Sequence, residues 1–208
     1  MARTSPATAG SHTVRIVGGR WRRSRLPVAD LPGLRPTPDR VRETVFNWLG
    51  QDLTGWRCVD AFAGTGALGF EAASRGAGDV LLVEQDRALV RQLEHVRQRL
   101  RADQVRVQCG DGVAAVRALG AGSVDLVFLD PPFGFDRLAA VLRGAAAAIG
   151  PAGWVYLETP QRWSDEALAP SGLVVHRHLA AGMVHAHLLC HPREVPAGEV
   201  PARETQRA

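Results

Sequence analysis

The stretch Arg57-Cys-Val-Asp-Ala-Phe-Ala-Gly-Thr-Gly-Ala-Leu-Gly69 decides which fold the chain can adopt. It begins as a short apolar strand that ends at Asp60, and it continues into a loop with Gly-x-Gly-x-x-Gly spacing before a helix begins. Such glycines let a ligand approach backbone that no side chain shields. Glu84 ends the next apolar run, about 20 residues after Gly64, where nucleoside-binding folds carry the acid that binds a ribose. The stretch therefore predicts a site for a nucleoside cofactor.

Strands and helices alternate regularly after this stretch, which predicts an α/β fold with a mostly parallel sheet and helices on both faces. The predicted strands are 57–60, 79–84, 105–109, 124–129 and 153–158, and the predicted helices are 67–75, 86–101, 111–119 and 135–148. Two further runs, 172–179 and 183–190, alternate with period 2 and predict a closing antiparallel hairpin. We expect a Rossmann-like domain with a seven-stranded sheet.

Composition is typical of a globular protein of the cytosol. With 208 residues and 46% hydrophobic content, the chain can form one sizeable core. The scattered Cys58, Cys109 and Cys190 form neither a disulfide framework nor a zinc set, so we expect reduced thiols. No apolar run reaches the roughly 18 to 20 residues that span a bilayer. A soluble, cytoplasmic monomer without a membrane partner is expected.

Positive charge is concentrated at the front of the chain. Residues 1–42 contain nine Arg against Asp30 and Asp39, whereas the remaining residues carry sixteen Arg against nineteen acids. This clustering indicates a polyanionic partner, although a merely solvated run of charge explains the hairpin segment equally well. The candidate residues for binding this polyanion are Arg15, Arg20, Trp21, Arg22, Arg23, Arg35, Thr37, Arg40 and Arg42, with Trp21 as an aromatic plane among the cations.

The glycine spacing fits NAD as well as S-adenosylmethionine, and charge separates the two cofactors. A carboxylate at Asp60 would oppose the pyrophosphate of a dinucleotide but would attract the ammonium of S-adenosylmethionine. Glu84 would bind the ribose hydroxyls, while Asp111 could accept the adenine amine, cap the helix that follows it, or do both. We therefore predict S-adenosylmethionine. The predicted binding residues are Asp60, Phe62, Ala63, Gly64, Thr65, Gly66, Glu84, Gln85, Asp111, Gly112 and Asp130.

A second chemical signal, Asp130-Pro131-Pro132-Phe133, directly follows the predicted strand 124–129. Consecutive prolines stiffen a turn at the carboxyl end of a strand, where open α/β sheets bind ligands. A planar substrate could stack on Phe133 while the Asp130 carboxylate and the Pro131 carbonyl accept the two N–H bonds of its exocyclic amine. Because alignment of that nitrogen with a sulfonium methyl supplies most of the catalysis, Asp130, Pro131, Pro132 and Phe133 are the predicted catalytic residues.

These motifs resemble those of known enzymes. Asp60–Gly69 and Asp130–Phe133 are similar to motifs I and IV of the amino-methyltransferases that modify exocyclic nitrogens of nucleic acids. Further segments, from about Val14 to Leu189, resemble the bacterial 16S ribosomal RNA guanine-N2 methyltransferases. They are Arg15-Ile-Val-Gly-Gly-Arg20, Leu34-Arg-Pro-Thr37, Asp39-Arg-Val-Arg-Glu-Thr-Val-Phe46 and Phe62-Ala-Gly-Thr-Gly-Ala-Leu-Gly-Phe-Glu71.

The resemblance implies a class I methyltransferase that uses S-adenosylmethionine to methylate the N2 amine of one guanine in small-subunit ribosomal RNA, preferentially within the assembled 30S subunit. Two positions depart from the family. Thr65 stands where Ser is usual, and the last strand carries His185 and His187 where an aromatic residue is expected.

The resemblance and the changes in composition together predict four segments. Residues 1–12 are expected to be a disordered leader, and 13–50 a basic RNA-binding extension made of a hairpin around Gly18-Gly19 and a helix. Residues 51–191 are expected to be the methyltransferase catalytic domain, and 192–208 a disordered tail.

Other functions remain open at this point. Because Asp-Pro-Pro-Phe orients any aromatic amine, DNA adenine-N6 methylation is the first alternative, although the chain lacks a long target-recognition insertion and DNA is not the expected partner. A non-catalytic RNA-binding factor for ribosome assembly is the second, and the intact Asp60, Glu84 and Asp130 argue against it.

Four histidines in the closing hairpin raise the question of a zinc or nickel site. If Ala181-Gly182 is the turn, His178 faces His185 and His176 faces His187 on one side of the hairpin. Methyl transfer from a sulfonium needs no metal, and imidazole pairs on a sheet face usually meet solvent or each other. No metal is therefore predicted.

Overall fold

The computed structural model describes residues 13–29 and 37–192 and the backbone of 205–207. The predicted leader, Arg35 and most of the predicted tail lie outside these residues. The elements, in chain order, are β1 (Thr13–Arg15), β2 (Arg25–Pro27), α1 (Asp39–Trp48), β3 (Arg57–Asp60), α2 (Ala67–Ser74), β4 (Asp79–Glu84), α3 (Arg87–Leu100), β5 (Val105–Cys109), α4 (Gly112–Arg117), β6 (Val124–Leu129), α5 (Leu138–Ala148), β7 (Ile149–Thr159), α6 (Asp165–Leu168), β8 (Val174–Ala181), β9 (Val184–Cys190) and β10 (Thr205–Arg207).

The main sheet has the predicted α/β topology. Seven strands follow the order β8-β9-β7-β6-β3-β4-β5, and only β9 runs antiparallel to its neighbours among them. The three-residue β10, which the sequence did not predict, adds to the outer edge in parallel with β8. Chain order reverses at β3, which lies between β4 and β6, and open α/β sheets bind ligands outside such a switch point. The site is therefore expected at the carboxyl ends of β3 and β6.

Alternating side chains along the strands build one apolar layer on each face of the sheet. On one face, Cys58 and Leu126 pack with the N-terminal strands and with α1, α2 and α3. On the other, Val59 and Val127 pack with α4 and α5. Within the described part of the chain, no helix combines the length and the apolar character needed to cross a bilayer.

The N-terminal strands pair as predicted, and Gly18-Gly19, which lies in the loop between them, also makes a close contact with α2. β1 and β2 are antiparallel, and the segment between them lies against the end of α2. Gly19 has φ +72°, and a Cβ on it would overlap the carbonyl oxygen of Ser74. Backbone N–H groups of Arg20 and Trp21 donate to Ser74 at 2.7 and 2.9 Å. These two glycines therefore let the two backbones approach closely.

Trp21 does not provide an exposed aromatic plane, so that part of the prediction is wrong. Its residue exposure is only 8%, and its ring belongs to the core that also contains the fully buried Ile16 and Leu26. Burial of apolar surface outweighs the exposure expected for a residue between arginines. Trp21 consequently packs the N-terminal extension against the rest of the molecule and is not available to stack on a nucleic acid base.

The closing hairpin turns at Gly182-Met183, one residue later than predicted. Ala181 pairs with Val184, which sets His178 opposite His187. The predicted register of His178 with His185 and of His176 with His187 is therefore wrong, although the His178 and His185 rings are in contact as expected. A bulge near Val175 further shifts the register, and His176 packs against Trp154 at 4.8 Å between ring centroids. A shift in the turn changes every cross-strand pair, since the turn fixes the register.

Candidate active site

A cavity of about 670 Å³ opens at the carboxyl ends of the central strands. Its wall contains the four predicted catalytic residues and all of the predicted cofactor-binding residues except Gly66. Gly66 precedes α2 with φ +77°, and a Cβ there would lie 2.6 Å from the ring of Phe70. It therefore shapes the loop without lining the cavity.

Asp60 ends β3 at the floor of the cavity, and its side chain is almost fully buried. The N–H of Gly69 donates to its Oδ2 at 3.1 Å, whereas Oδ1 is buried with no hydrogen-bond partner among the described residues. Burial raises the pKa of Asp60 to about 7, because desolvation disfavours the charged form. A buried acceptor without a partner is costly, so the site fits a ligand that brings a positively charged donor.

Glu84 fixes the glycine loop. The N–H of Gly64 donates to Oε2 of Glu84 at 2.9 Å, and the N–H of Asp86 donates to its Oε1 at 2.8 Å. Each carboxylate oxygen has a second lone pair, so both can still accept from a ligand hydroxyl. The same carboxylate can therefore shape the loop and bind a ribose.

Asp111 is an N-cap, as its alternative interpretation predicted, and it is also ion-paired. Its Oδ2 accepts from the N–H of Ala114 at 3.3 Å, and Arg137 bonds both carboxylate oxygens at 2.9 and 3.0 Å. Hydrogen bonds from Arg137 lower the pKa of Asp111. The Arg137 guanidinium lies 5.4 Å from the ring centroid of Phe135, which packs edge-on against Phe62 at 5.1 Å. These groups form an aromatic wall suited to a flat base.

Asp130 follows β6 and has an acidic neighbour that the sequence analysis missed. Glu158, near the end of β7, lines the same cavity. The Thr37 hydroxyl lies 3.1 Å from Oε2 of Glu158 and 3.4 Å from Oδ2 of Asp130. Burial and the negative charges of Glu158 and Asp60 raise the pKa of Asp130 well above its ordinary value, and burial also raises the pKa of Glu158. The pair therefore takes up a proton more readily than two exposed carboxyl groups would.

Two large apolar side chains are exposed at the cavity mouth. Phe133 is 64% exposed and Met183, at the tip of the closing hairpin, is 72% exposed. Exposed apolar side chains at the rim of a polar cavity mark a surface for binding a flat or apolar group. The cavity can thus accept a ring from outside while a second ligand occupies its interior.

The predicted RNA-binding residues separate into three groups. The first group is exposed and comprises Arg20, Arg22, Arg23 and Arg40. Arg25, which was not predicted, is also exposed beside them. Arg15 is exposed but pairs with Asp39. Arg42 is fully buried, so it cannot bind RNA at the surface as predicted, whereas Thr37 is buried in the cavity wall and not on the basic surface.

Arg42 instead joins the N-terminal extension to α2. Its guanidinium pairs with Glu71 at 3.1 Å and with Asp39 at 2.6 Å, and it donates to the carbonyl of Arg15 at 2.7 Å. A buried guanidinium needs such partners because its desolvation is costly. The sequence could not reveal this, since Glu71 lies 29 positions away.

Three histidines of the closing hairpin do form a cluster. His178 Nε2 lies 2.9 Å from His185 Nδ1, and His187 Nε2 accepts from the N–H of Trp163 at 3.1 Å. Burial lowers the pKa values of His178 and His187 to about 4, so both rings are neutral at pH 7. Over the residues that the structure describes, no group of three His, Cys, Asp or Glu is arranged to hold a metal.

Sequence reasoning missed Glu158, Phe135, Arg137 and Met183 as cavity residues. The sequence does indicate Glu158 as a cavity residue, because this acid stands at the end of a predicted apolar strand, as Asp60 and Glu84 do. Arg137 and Phe135 follow the Asp-Pro-Pro-Phe turn closely, but no spacing rule connects them to Asp111. The place of Met183 at the cavity could not be predicted, because it depends on which residues form the hairpin turn.

Comparison with known proteins identifies relatives of this architecture. Residues 14–190 match the profile of the family described as conserved hypothetical protein 95. Ribosomal RNA small subunit methyltransferase D of Escherichia coli (strain K12) is 40% identical over 185 residues, which cover 86% of this chain and 90% of that protein. The protein of the same name from Haemophilus influenzae is 37% identical over 177 residues, 79% of this chain and 92% of that protein.

A solved structure supports the same family assignment. The structure of the putative methyltransferase yhhF from Escherichia coli has a TM-score of 0.73 and 34% identity, and the match covers 86% of this chain and 97% of that chain. The family predicted from the sequence motifs is confirmed. This chain is a methyltransferase, and it belongs to the ribosomal RNA small subunit methyltransferase D family.

Proposed function

We propose that the protein transfers a methyl group from S-adenosylmethionine to the exocyclic N2 amine of a guanine in small-subunit ribosomal RNA. It acts as a monomer on RNA within the assembled 30S subunit. The supporting observation is that Asp130 and Phe133 border the same cavity as Asp60 and Glu84, so one site can hold both a cofactor and an acceptor base. The names of the Escherichia coli and Haemophilus influenzae relatives support ribosomal RNA as the acceptor.

The residues present fit this cofactor. The partnerless Oδ1 of Asp60 can accept from its ammonium, and Glu84 can accept from the ribose hydroxyls. Phe62, Phe135 and the Arg137–Asp111 pair can enclose the adenine. When bound, S-adenosylmethionine supplies an electrophilic methyl group on a positively charged sulfur. The protein contributes binding, orientation and exclusion of water around it.

The acceptor base would enter from the mouth of the cavity. Phe133 offers an exposed ring on which a base extruded from the RNA can stack. Asp130 then accepts an N–H bond of the amine and orients the nitrogen toward the cofactor. Because the effective concentration of aligned groups is high, such positioning accounts for much of the rate.

The proposal is tested by supplying several acceptors to the same enzyme. Purified protein is incubated with tritium-labelled S-adenosylmethionine and, separately, naked 16S RNA, small subunits lacking the modification, and DNA. We expect label only in ribosomal RNA, greatest in the subunits, and N2-methylguanine after nuclease digestion. Labelled N6-methyladenine in DNA would favour the alternative enzyme, and the absence of label in every acceptor would favour an assembly factor.

Cofactor affinity should depend on pH through Asp60. Its pKa of about 7 means that the carboxylate predominates above pH 7 and the neutral acid below it. Only the carboxylate attracts an ammonium strongly, so affinity should fall roughly tenfold for each pH unit below 7. Isothermal titration from pH 5.5 to 8.5 measures this. Asp60→Asn should bind weakly at every pH, whereas equal wild-type affinity at pH 6 and pH 8 would contradict the assignment.

Exposed arginines of the N-terminal extension should contribute to RNA affinity. Replacing Arg20 and Arg22 together by Gln should weaken binding and reduce the slope of log affinity against log salt by about 0.7 to 0.9 for each lost phosphate contact. Arg117 and Arg143, exposed on helices of the opposite sheet face, give a matched double control with the same charge change. A filter-binding series in KCl measures both slopes. Identical slopes for the two double variants would make the extension ordinary surface.

A further inference from the structure

Asp130 and Glu158 form a connected pair of carboxyl groups beneath the acceptor position. They follow the paired residues Leu129 and Leu157 of the adjacent parallel strands β6 and β7, so the sheet itself aligns them. The Thr37 hydroxyl is within reach of one oxygen of each, at 3.4 Å from Asp130 and 3.1 Å from Glu158. A hydroxyl can donate one hydrogen bond and accept another. Thr37 can therefore connect the two acids in a chain.

A further hydroxyl fixes the far end of this chain. The fully buried Tyr156 donates to Oε2 of Glu158 at 2.7 Å, and this is the oxygen that Thr37 also approaches. Burial, followed by the charge of Glu158, raises the pKa of Tyr156 well above its ordinary value, so the phenol remains a donor. The charged neighbours acting on Asp130 are Glu158 and Asp60, both acidic. These negative charges favour the uptake of a proton by Asp130.

Methylation of an amine releases a proton that must have an acceptor. As the nitrogen forms its bond to the methyl carbon, the sulfur keeps the electron pair of the bond that breaks. The nitrogen, now carrying positive charge, loses one N–H proton and keeps that bond's electron pair. A buried carboxylate with a strong affinity for protons is suited to this step.

We propose that Thr37 and Glu158 are positioning residues for Asp130 as the proton acceptor of the reaction: Thr37 orients the Asp130 carboxylate, and Glu158 raises its affinity for the proton. The amine proton moves to Oδ2 of Asp130. The Glu158 carboxylate, held by the hydroxyls of Tyr156 and Thr37, then stabilises the protonated Asp130 by its charge. This inference rests on the proposed methylation of an amine and adds residues from the N-terminal extension and β7 to the site.

The two positioning residues should move the pKa of Asp130 in opposite directions. The charge of Glu158 raises it, so Glu158→Gln should lower it; the hydrogen bond from Thr37 lowers it, so Thr37→Val should raise it. Both replacements keep nearly the same shape, so the fold should persist. A merely structural contact would not produce shifts of opposite sign.

Carboxyl carbon NMR of protein labelled with ¹³C-aspartate measures these shifts without a cofactor or substrate. We expect the Asp130 midpoint, assigned by its loss in Asp130→Asn, to fall by about one pH unit or more in Glu158→Gln and to rise in Thr37→Val. Glu94→Gln and Thr44→Val, on exposed parts of α3 and α1, are matched controls that should leave it unchanged. An unchanged midpoint in both test variants, or shifts of the same sign, would overturn the proposal.

The kinetic counterpart uses single-turnover methyl transfer at different pH values. Glu158→Gln should slow transfer at least tenfold and move the acidic limb of its pH profile to lower pH, and Thr37→Ser should restore the rate that Thr37→Val loses. A slower Glu158→Gln variant with the wild-type pH profile would show that Glu158 does not set the proton affinity of Asp130. If wild-type protein methylates none of the acceptors, the proposed function fails, while the NMR shifts still decide whether the three side chains form one chain.

Discussion

Methyl transfer should fall by about 100- to 10,000-fold when Asp130 is replaced by alanine, the range typical of losing a group that handles a proton in the transition state. Asp130 is proposed both to orient the amine and to accept its proton, so alanine removes both contributions. Binding of S-adenosylmethionine should remain within a few-fold of wild type, because Asp60 and Glu84 stay in place. Single-turnover transfer of tritium to small subunits, together with isothermal titration, separates the two effects.

Asp125→Ala is the matched control for this substitution. Asp125 lies on the same strand β6, but it is partly exposed and pairs with Arg57 at the other end of the strand. It should retain full activity. Transfer by Asp130→Ala at the wild-type rate would remove Asp130 from the reaction and with it the proposed path for the proton.

The second large effect concerns stability. Arg42→Ala should lower the free energy of unfolding by about 3 to 5 kcal/mol, because the fully buried guanidinium neutralises part of the buried charge of Glu71 and also pairs with Asp39. In this variant, Glu71 would keep Arg75 and the N–H groups of Val17 and Gly18 but lose its second guanidinium. The carbonyl of Arg15 would also lose a donor. Urea unfolding, followed by two independent probes, measures the change.

Arg106→Ala provides the comparison with an exposed pair. Arg106 bonds both oxygens of Asp79, with side-chain exposures of 63% and 47%, and solvent screening limits such pairs to about 0 to 1 kcal/mol. Equal losses for Arg42→Ala and Arg106→Ala would mean that the buried network adds nothing to stability. A loss confined to Arg42→Ala would assign it to the interior contacts.

Local sequence patterns predicted most of the fold. Strands β4 and β6 lie at 79–84 and 124–129 as predicted. These elements have clear periodicity and strong capping or breaking residues, so neighbouring positions determine them. The positions of Asp60 and Asp130 could be predicted for the same reason, since each lies at the carboxyl end of such a strand.

The predictions that were wrong or missing concern side chains whose environment is set by residues far away in the sequence. A charged side chain in an amphipathic helix is normally assigned to solvent, but Arg42 is buried because Glu71 and the carbonyl of Arg15 satisfy it. Arg137 reaches Asp111 across the cavity, and nothing in the local pattern joins the two. The residue opposite His178 differs from the prediction because the hairpin turn lies one residue later than predicted.

The interlocked end of α2 limits how this family can be recombined. Glu71 and Ser74 bind the backbone of Val17, Gly18 and Trp21, so the helix supplies part of the surface on which the extension folds. A chimera that exchanges only residues 13–42 with a relative would separate these complementary surfaces. The extension and α2 therefore form one structural unit, and an exchange between relatives has to carry both.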